Sequence, residues 1–272
     1  MKAGCYQFDP AFGEKEKNME KVFSAVSDAE IDLLVLPELF ATGYQFRSKD
    51  EVAELSENIE SGQTTEFLCD MSQEKGIYIV AGLAEKDGNK FYNSAVITGP
   101  DGVIGTYRKT HLYFEEKLYF SPGDTGFKVW DTEIGRIGIM ICFDWFFPEA
   151  MRSLALKGAE IVAHPSNLVL PYCPDAMPLR CLENRVFSIT ANRIGTEDRT
   201  EGKPLSFIGQ SLIVSPRGEV LAKAPAEEET LLIAEFDPTT ARNKALNPFN
   251  DIFGDRMPES YEAILKKERW TL

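Results

Sequence analysis

An amphipathic stretch, NMEKVFSAVSDAE (18–30), runs straight into a continuous apolar run, IDLLVLPE (31–38). In the first, Met19, Val22, Phe23 and Val26 recur at helical spacing; the second has no alternating polar face, as expected of a strand covered on both sides. The succession then returns. TTEFLCDMSQEKG precedes IYIVAGLAE, with Gly76 placed as a helix C-terminal residue. Further on come strand IGIMIC, helix PEAMRSLALKG and strand AEIVAHPSN, with Pro148 in the first turn of that helix and Gly158 past its end. Helices alternating with doubly covered strands predict βαβ units and an α/β fold.

Two hairpins interrupt the alternation, SAVITGPDGVIGTYRK and SLIVSPRGEVLAKA, each with a Pro-x-Gly turn. They look like counterparts, as do IDLLVLPE and AEIVAHPSN, so each half of the chain is expected to hold a similar set of elements in two related sheets packed face to face. With 272 residues and 43% hydrophobic content the chain can bury a sizeable core, and we read 1–272 as one domain. The stretch from 245 to 272, with Phe249, Phe253 and Tyr261, lacks clear periodicity; it is expected to pack on a partner subunit, giving a homodimer or larger homo-oligomer.

A formal charge of −14 opposes binding to nucleic acid or an anionic membrane. The start MKAGCYQFDP lacks the pattern of a signal peptide, and no apolar run is long enough to span a bilayer. Five scattered cysteines without a CxxC pair fit a reducing compartment, so a cytoplasmic location is expected.

Three polar residues stand where strands end, the places at which open α/β folds gather function: Glu38 after LLVLP, Lys109 after VIGTYR and Cys142 after IGIMI. A two-residue period puts Cys142 on one face with Gly138 and Met140, at a strand tip ahead of a helix. There a helix dipole and a nearby Lys109 ammonium favour the thiolate, lowering its pKa from about 8.5. A buried cysteine is more often an inert small hydrophobe, and that reading is kept for Cys5, Cys69, Cys173 and Cys181. Glu38, among Leu36 and Leu39, is a better base than either histidine; His111 and His164 read as a hydrogen-bonded loop residue and a satisfied strand-end residue. A metal-dependent site using His111, His164 and Asp144 lacks any HxH or HExxH spacing, so no metal is expected.

VLPELFATGY, YRKTHLYFEEKLYFSPGD and IGIMICFDWFFPEAMRSLALKGAEIVAHPSN, in this order, resemble the nitrilase superfamily of carbon-nitrogen hydrolases. The likeness runs from GCYQFDP through AMPLRCLENRVFSITANRIG to NPFNDIFGDR. It implies an αββα sandwich of two mixed sheets, dimers stacked through their helices, no metal or organic cofactor, and a Glu38, Lys109, Cys142 triad. It also implies a second glutamate at Glu116, with Glu115 adjacent as the other placement. Glu38 is then expected to activate Cys142 for attack on a nitrile or amide carbon, with the oxyanion between Lys109 and the backbone N–H of Phe143. Phe143, Trp145, Asn167 and Tyr172 are the candidate pocket residues, the prolines of SNLVLPYCPDAMP are expected to stiffen a pocket loop, and Arg180 and Arg193 are candidates to fold inward. The expected substrate is a small nitrile or primary amide. An N-carbamoyl amine amidohydrolase is the alternative, and a non-catalytic binding protein of the same fold the remaining one.

Overall fold

The computed structural model describes residues 1–267; the last five residues of the expected C-terminal tail lie outside the described ones. The first half supplies β1 (Lys2–Gln7), β2 (Leu33–Val35), β3 (Tyr78–Asp87), β4 (Lys90–Gly99) and β5 (Gly102–Arg108). The second supplies β6 (Val129–Thr132), β7 (Gly135–Ile139), β8 (Ile161–Pro165) and β9 (Phe187–Ala191). A short ribbon follows, β10 (Thr196–Glu197) with β11 (Leu205–Ser206), and then β12 (Leu212–Val214), β13 (Val220–Lys223) and β14 (Thr230–Glu235).

Two six-stranded mixed sheets result, in the orders β14-β1-β2-β3-β4-β5 and β6-β7-β8-β9-β12-β13. Each has three parallel strands at its centre, an antiparallel strand on one side and an antiparallel hairpin on the other. The expected counterparts therefore coincide: β2 and β8 hold the same place in their sheets, and so do the hairpins β4–β5 and β12–β13.

Alternation along the strands builds the layers. Leu33 and Val35 of β2 join Cys5, Ile97, Ile139, Ile161 and Ile189 between the sheets. Leu34 and Leu36 turn the other way, onto Met19 and Val22 of α1 (Lys15–Val26) and onto Leu68 and Met71 of α3 (Gln63–Lys75), which lies beyond the short α2 (Lys49–Leu55). After the one-turn α4 (Glu116–Tyr119), α5 (Pro148–Leu156) and α6 (Cys173–Asn184) cover the second sheet, burying Met151, Leu154, Cys173 and Met177. Each such fully buried side chain contributes about 1.5–3 kcal/mol.

Gly76 ends α3 in the left-handed conformation with its N–H on the Ser72 carbonyl, and Pro148 opens α5. Of the three prolines of SNLVLPYCPDAMP, Pro171 stands in the loop before α6, as expected, and the other two belong to the helix. Pro174 lies in the first turn of α6, where no amide donor is needed, and Pro178 lies inside the helix, which the burial of Cys173, Met177 and Cys181 holds together. In the tail, beyond the ribbon β15 (Ala245–Asn247) and β16 (Asn250–Asp251), Phe253 is covered by its own chain, beneath Lys244 at 5.0 Å and Arg152 at 5.4 Å. Phe249, 89% exposed, and Leu265, 90% exposed, are not covered. No described helix is long and apolar enough to cross a membrane.

One glycine sets how closely the site's backbone can pack. A Cβ on Gly82 of β3 would stand 2.5 Å from Glu38 Cα and 2.8 Å from the Leu39 nitrogen. Gly82→Ala is expected to destabilise the protein by about 1–3 kcal/mol and to lower activity by displacing Glu38. Urea unfolding and ammonia release, measured on the same preparation, check this; unchanged values of both would show that the loop yields freely.

Candidate active site

Glu38 leaves the end of β2 through Pro37, and Leu39 behind it takes φ +52°. Its carboxylate is fully buried. Lys109 directly follows β5, its N–H on the Asn93 carbonyl and its own carbonyl bound by the N–H of Gly123. The Lys109 ammonium donates to Glu38 Oε1 at 2.6 Å and to Glu116 Oε1 at 2.7 Å. Asn93 Nδ2 also donates to Glu38 Oε1, at 2.7 Å, and the Tyr44 hydroxyl donates to Glu116 Oε1 at 2.6 Å. Glu116 begins α4, and its Oε2 accepts the N–H of Tyr113 at 3.2 Å, tying the turn to itself. Glu115 points elsewhere, to a partly exposed pair with Lys203.

Cys142 does not continue the two-residue period of β7. The strand ends at Ile139, and Cys142 opens a 3-10 turn over Cys142–Phe146 with φ +39°. Positive φ at a non-glycine residue is uncommon, and hydrogen bonds on both sides enforce it here. Asp144, fully buried, accepts the Ile141 N–H at 2.9 Å, the Tyr107 hydroxyl at 2.7 Å and His111 Nδ1 at 2.7 Å. Across the turn, His164 Nε2 donates to the Cys142 carbonyl at 3.0 Å, and Nδ1 therefore accepts from the Thr190 hydroxyl at 3.1 Å. His111, stacked on Phe147 at 3.6 Å, and His164 are thus hydrogen-bonded structural residues, and Asp144 holds the turn.

The electrostatics correct one expectation. Burial, reinforced by the Glu38 carboxylate, pushes the Cys142 thiol well above its ordinary value, and Lys109 only partly opposes this. α5 begins only at Pro148, six residues on, so Cys142 does not stand directly before that helix as the sequence pattern implied. The resting cysteine is a neutral thiol. Burial opposes the Lys109 charge, but Glu116 and Glu38 outweigh it and hold the ammonium above its usual value. Burial and Glu38 raise Glu116 to about 6 against the pull of Lys109. Burial lowers His164 to about 4, leaving it neutral.

Cys142 opens on a cavity of about 20 Å³, room for about one water, lined by Tyr113, Phe143, Trp145, Asn167, Leu168, Val169 and Leu170. Three of the four candidate pocket residues meet there. Tyr172 does not: it is 60% exposed at the start of α6. Neither arginine turns into the cavity. Arg193 is buried in ion pairs with Glu197 and Asp9, and Arg180 pairs with Glu183 and reaches only the Trp145 carbonyl. Asn93, Tyr44 and Asp144 were absent from the sequence-based candidates for these roles. Asn93 and Asp144 leave a signal nonetheless: an asparagine inside the strand KFYNSAVITG, and a carboxylate among the aromatics of CFDWFF.

Residues 2–245 match the family model described as carbon-nitrogen hydrolase. A nitrilase from Pyrococcus abyssi is 51% identical over 96% of this chain and 99% of its own length. An N-carbamoylputrescine amidase from Solanum lycopersicum is 33% identical over 90% of this chain and 88% of its own. Among solved structures, a carbon-nitrogen hydrolase from Helicobacter pylori superposes with a TM-score of 0.88 at 31% identity, covering 98% of both chains. A glutamate-to-glutamine mutant of the amidase from Nesterenkonia sp. AN1, with acrylamide added at its active-site cysteine, gives a TM-score of 0.80 at 25% identity over 97% of this chain and 99% of that one. With this fold, this buried cluster and these relatives, the chain belongs to the carbon-nitrogen hydrolases of the nitrilase superfamily and is a hydrolase.

Proposed function

We propose that the protein hydrolyses the carbon–nitrogen bond of a small uncharged nitrile or primary amide through a covalent thioester on Cys142, releasing a carboxylic acid and ammonia. The observation that carries this reading is the buried cluster itself. Glu38 Oε1 is held by Lys109 and Asn93, while Glu38 Oε2 is buried with no hydrogen-bond partner among the described residues, free to take the thiol proton. Lys109 spends two of its three donors on the carboxylates and keeps one for a developing oxyanion.

The steps follow from these atoms. Glu38 accepts the S–H proton as sulfur bonds to the amide carbon, and the carbonyl oxygen becomes an oxyanion between the remaining Lys109 N–H and the Phe143 backbone N–H. The oxyanion collapses, the C–N bond breaks, and the amine nitrogen leaves as ammonia with the proton that Glu38 returns. Water then gives a proton to Glu38 and attacks the thioester; the acid departs and the proton goes back to sulfur. With a nitrile the first adduct is a thioimidate, and one added water precedes loss of ammonia. Glu116 fixes Lys109 and orients the substrate.

Support comes from the Nesterenkonia enzyme, whose mutated glutamate and active-site cysteine have the same sequence separation as Glu38 and Cys142. The lining of the cavity carries no charged side chain, which favours an uncharged substrate over an N-carbamoyl compound bearing a second charge. Ammonia release from a panel of small nitriles, primary amides and N-carbamoyl amines tests the reading. Turnover of nitriles or amides is expected; turnover confined to N-carbamoyl amines would replace it.

A further inference from the structure

Three buried acceptors around the site have no hydrogen-bond partner among the described residues: Glu38 Oε2, Asn93 Oδ1 and Asn167 Oδ1. Of the three residues, only Asn167 lines the cavity beside Cys142, and it is 2% exposed. Its amide cannot be turned round. Nδ2 donates to the Glu38 backbone carbonyl at 2.8 Å, and the reversed amide would set two oxygens against each other. Asn167 lines the same cavity as Cys142, so this residue flanks the nucleophile. With Glu38 Oε2 assigned to the thiol proton, and Asn93 outside the cavity lining, Asn167 Oδ1 is the unpaired acceptor beside Cys142.

A buried amide oxygen is destabilising without a donor, and a ligand that brings an N–H relieves it. A nitrile nitrogen has a lone pair and no hydrogen; a primary carboxamide has two N–H groups beside its carbonyl oxygen. The oxyanion donors assigned above, the Lys109 ammonium and the Phe143 backbone N–H, serve one end of such a group, and Asn167 Oδ1 in the cavity beside Cys142 offers an acceptor to the other. We propose that Asn167 Oδ1 is a specificity-determining acceptor for the substrate N–H, so that the site binds a small primary carboxamide in preference to the nitrile of the same carbon chain. The proposal rests on the hydrolytic reading above and narrows it. A site arranged to hydrogen-bond an N–H discriminates against the analogue that lacks it, because its own buried group stays unpaired.

The test measures binding without requiring turnover. The rate at which methyl methanethiosulfonate modifies Cys142, followed by the mass of the Cys142 peptide, is measured with butyramide or butyronitrile as protectant. Wild-type protein should be protected by the amide at about a tenfold lower concentration than by the nitrile, the size of one neutral hydrogen bond. Asn167→Leu should raise the protecting concentration of the amide about tenfold and leave that of the nitrile within about twofold. Asn167→Ser serves as the second variant and should show the same contrast. Equal protection by both compounds in the wild type, or a parallel shift for both in the variants, would overturn the proposal, since a merely structural role for Asn167 would move both alike. Ammonia release on the same pair separates the two readings: differential protection without hydrolysis of either compound keeps the acceptor and removes the reading of small nitriles and primary amides as substrates.

Discussion

Cys142→Ala is expected to lower ammonia release by at least about 10⁴-fold while the circular dichroism spectrum stays that of the wild type. The loss is large because the covalent route disappears, rather than one contact within it. The fold should tolerate the change: the side chain is small, and the unusual φ of the turn is set by Asp144 and His164 rather than by the sulfur. Cys69→Ala and Cys181→Ala should remain active. Burial raises the Cys181 thiol to about 12, and its sulfur donates to Ser188 on the covered side of the second sheet, away from Glu38 and Lys109. Wild-type turnover by Cys142→Ala would remove the thioester from the account.

The second large effect separates the two glutamates. Glu38→Gln removes the proton acceptor from a thiol whose pKa is already raised, so hydrolysis should fall by about 10³-fold and modification of Cys142 by methyl methanethiosulfonate should slow with it. Glu116→Gln should lose about a hundredfold in hydrolysis through misplacement of Lys109 and the substrate, while the thiol reacts near the wild-type rate. The two also differ in pH dependence. Because Glu116 is raised to about 6, it gains a proton as pH falls through that value, and wild-type kcat/KM should decline below about pH 6. Glu116→Gln should lack this limb. A limb that survives the substitution would assign the titration elsewhere.

Local signals carried much of this into the sequence. The doubly covered strands show as unbroken apolar runs, Pro148 and Gly76 mark helix ends by their own backbone preferences, and the hairpins declare themselves by their turns. What the sequence could not reveal depends on contacts between distant residues. The left-handed turn at Cys142 is fixed by Asp144 together with His164, which belongs to a neighbouring strand. The direction of the thiol pKa depends on burial and on Glu38 from the other sheet, neither of which the strand-then-helix pattern around Cys142 contains. α6 runs through Pro178 because its buried face outweighs one missing hydrogen bond, and Arg193 turns away because Asp9 and Glu197 claim it. Gly82 reads as an ordinary strand residue until Glu38 is placed against it.

The direct measurement of the central claim is the mass of the enzyme during turnover. Wild-type protein mixed with a small primary amide, quenched in acid within one turnover and digested with pepsin, should carry the acyl group of the substrate on the peptide containing Cys142, appearing before the free acid and decaying as the acid forms. Acid and ammonia produced at full rate with no acyl mass on that peptide at any quench time would contradict it.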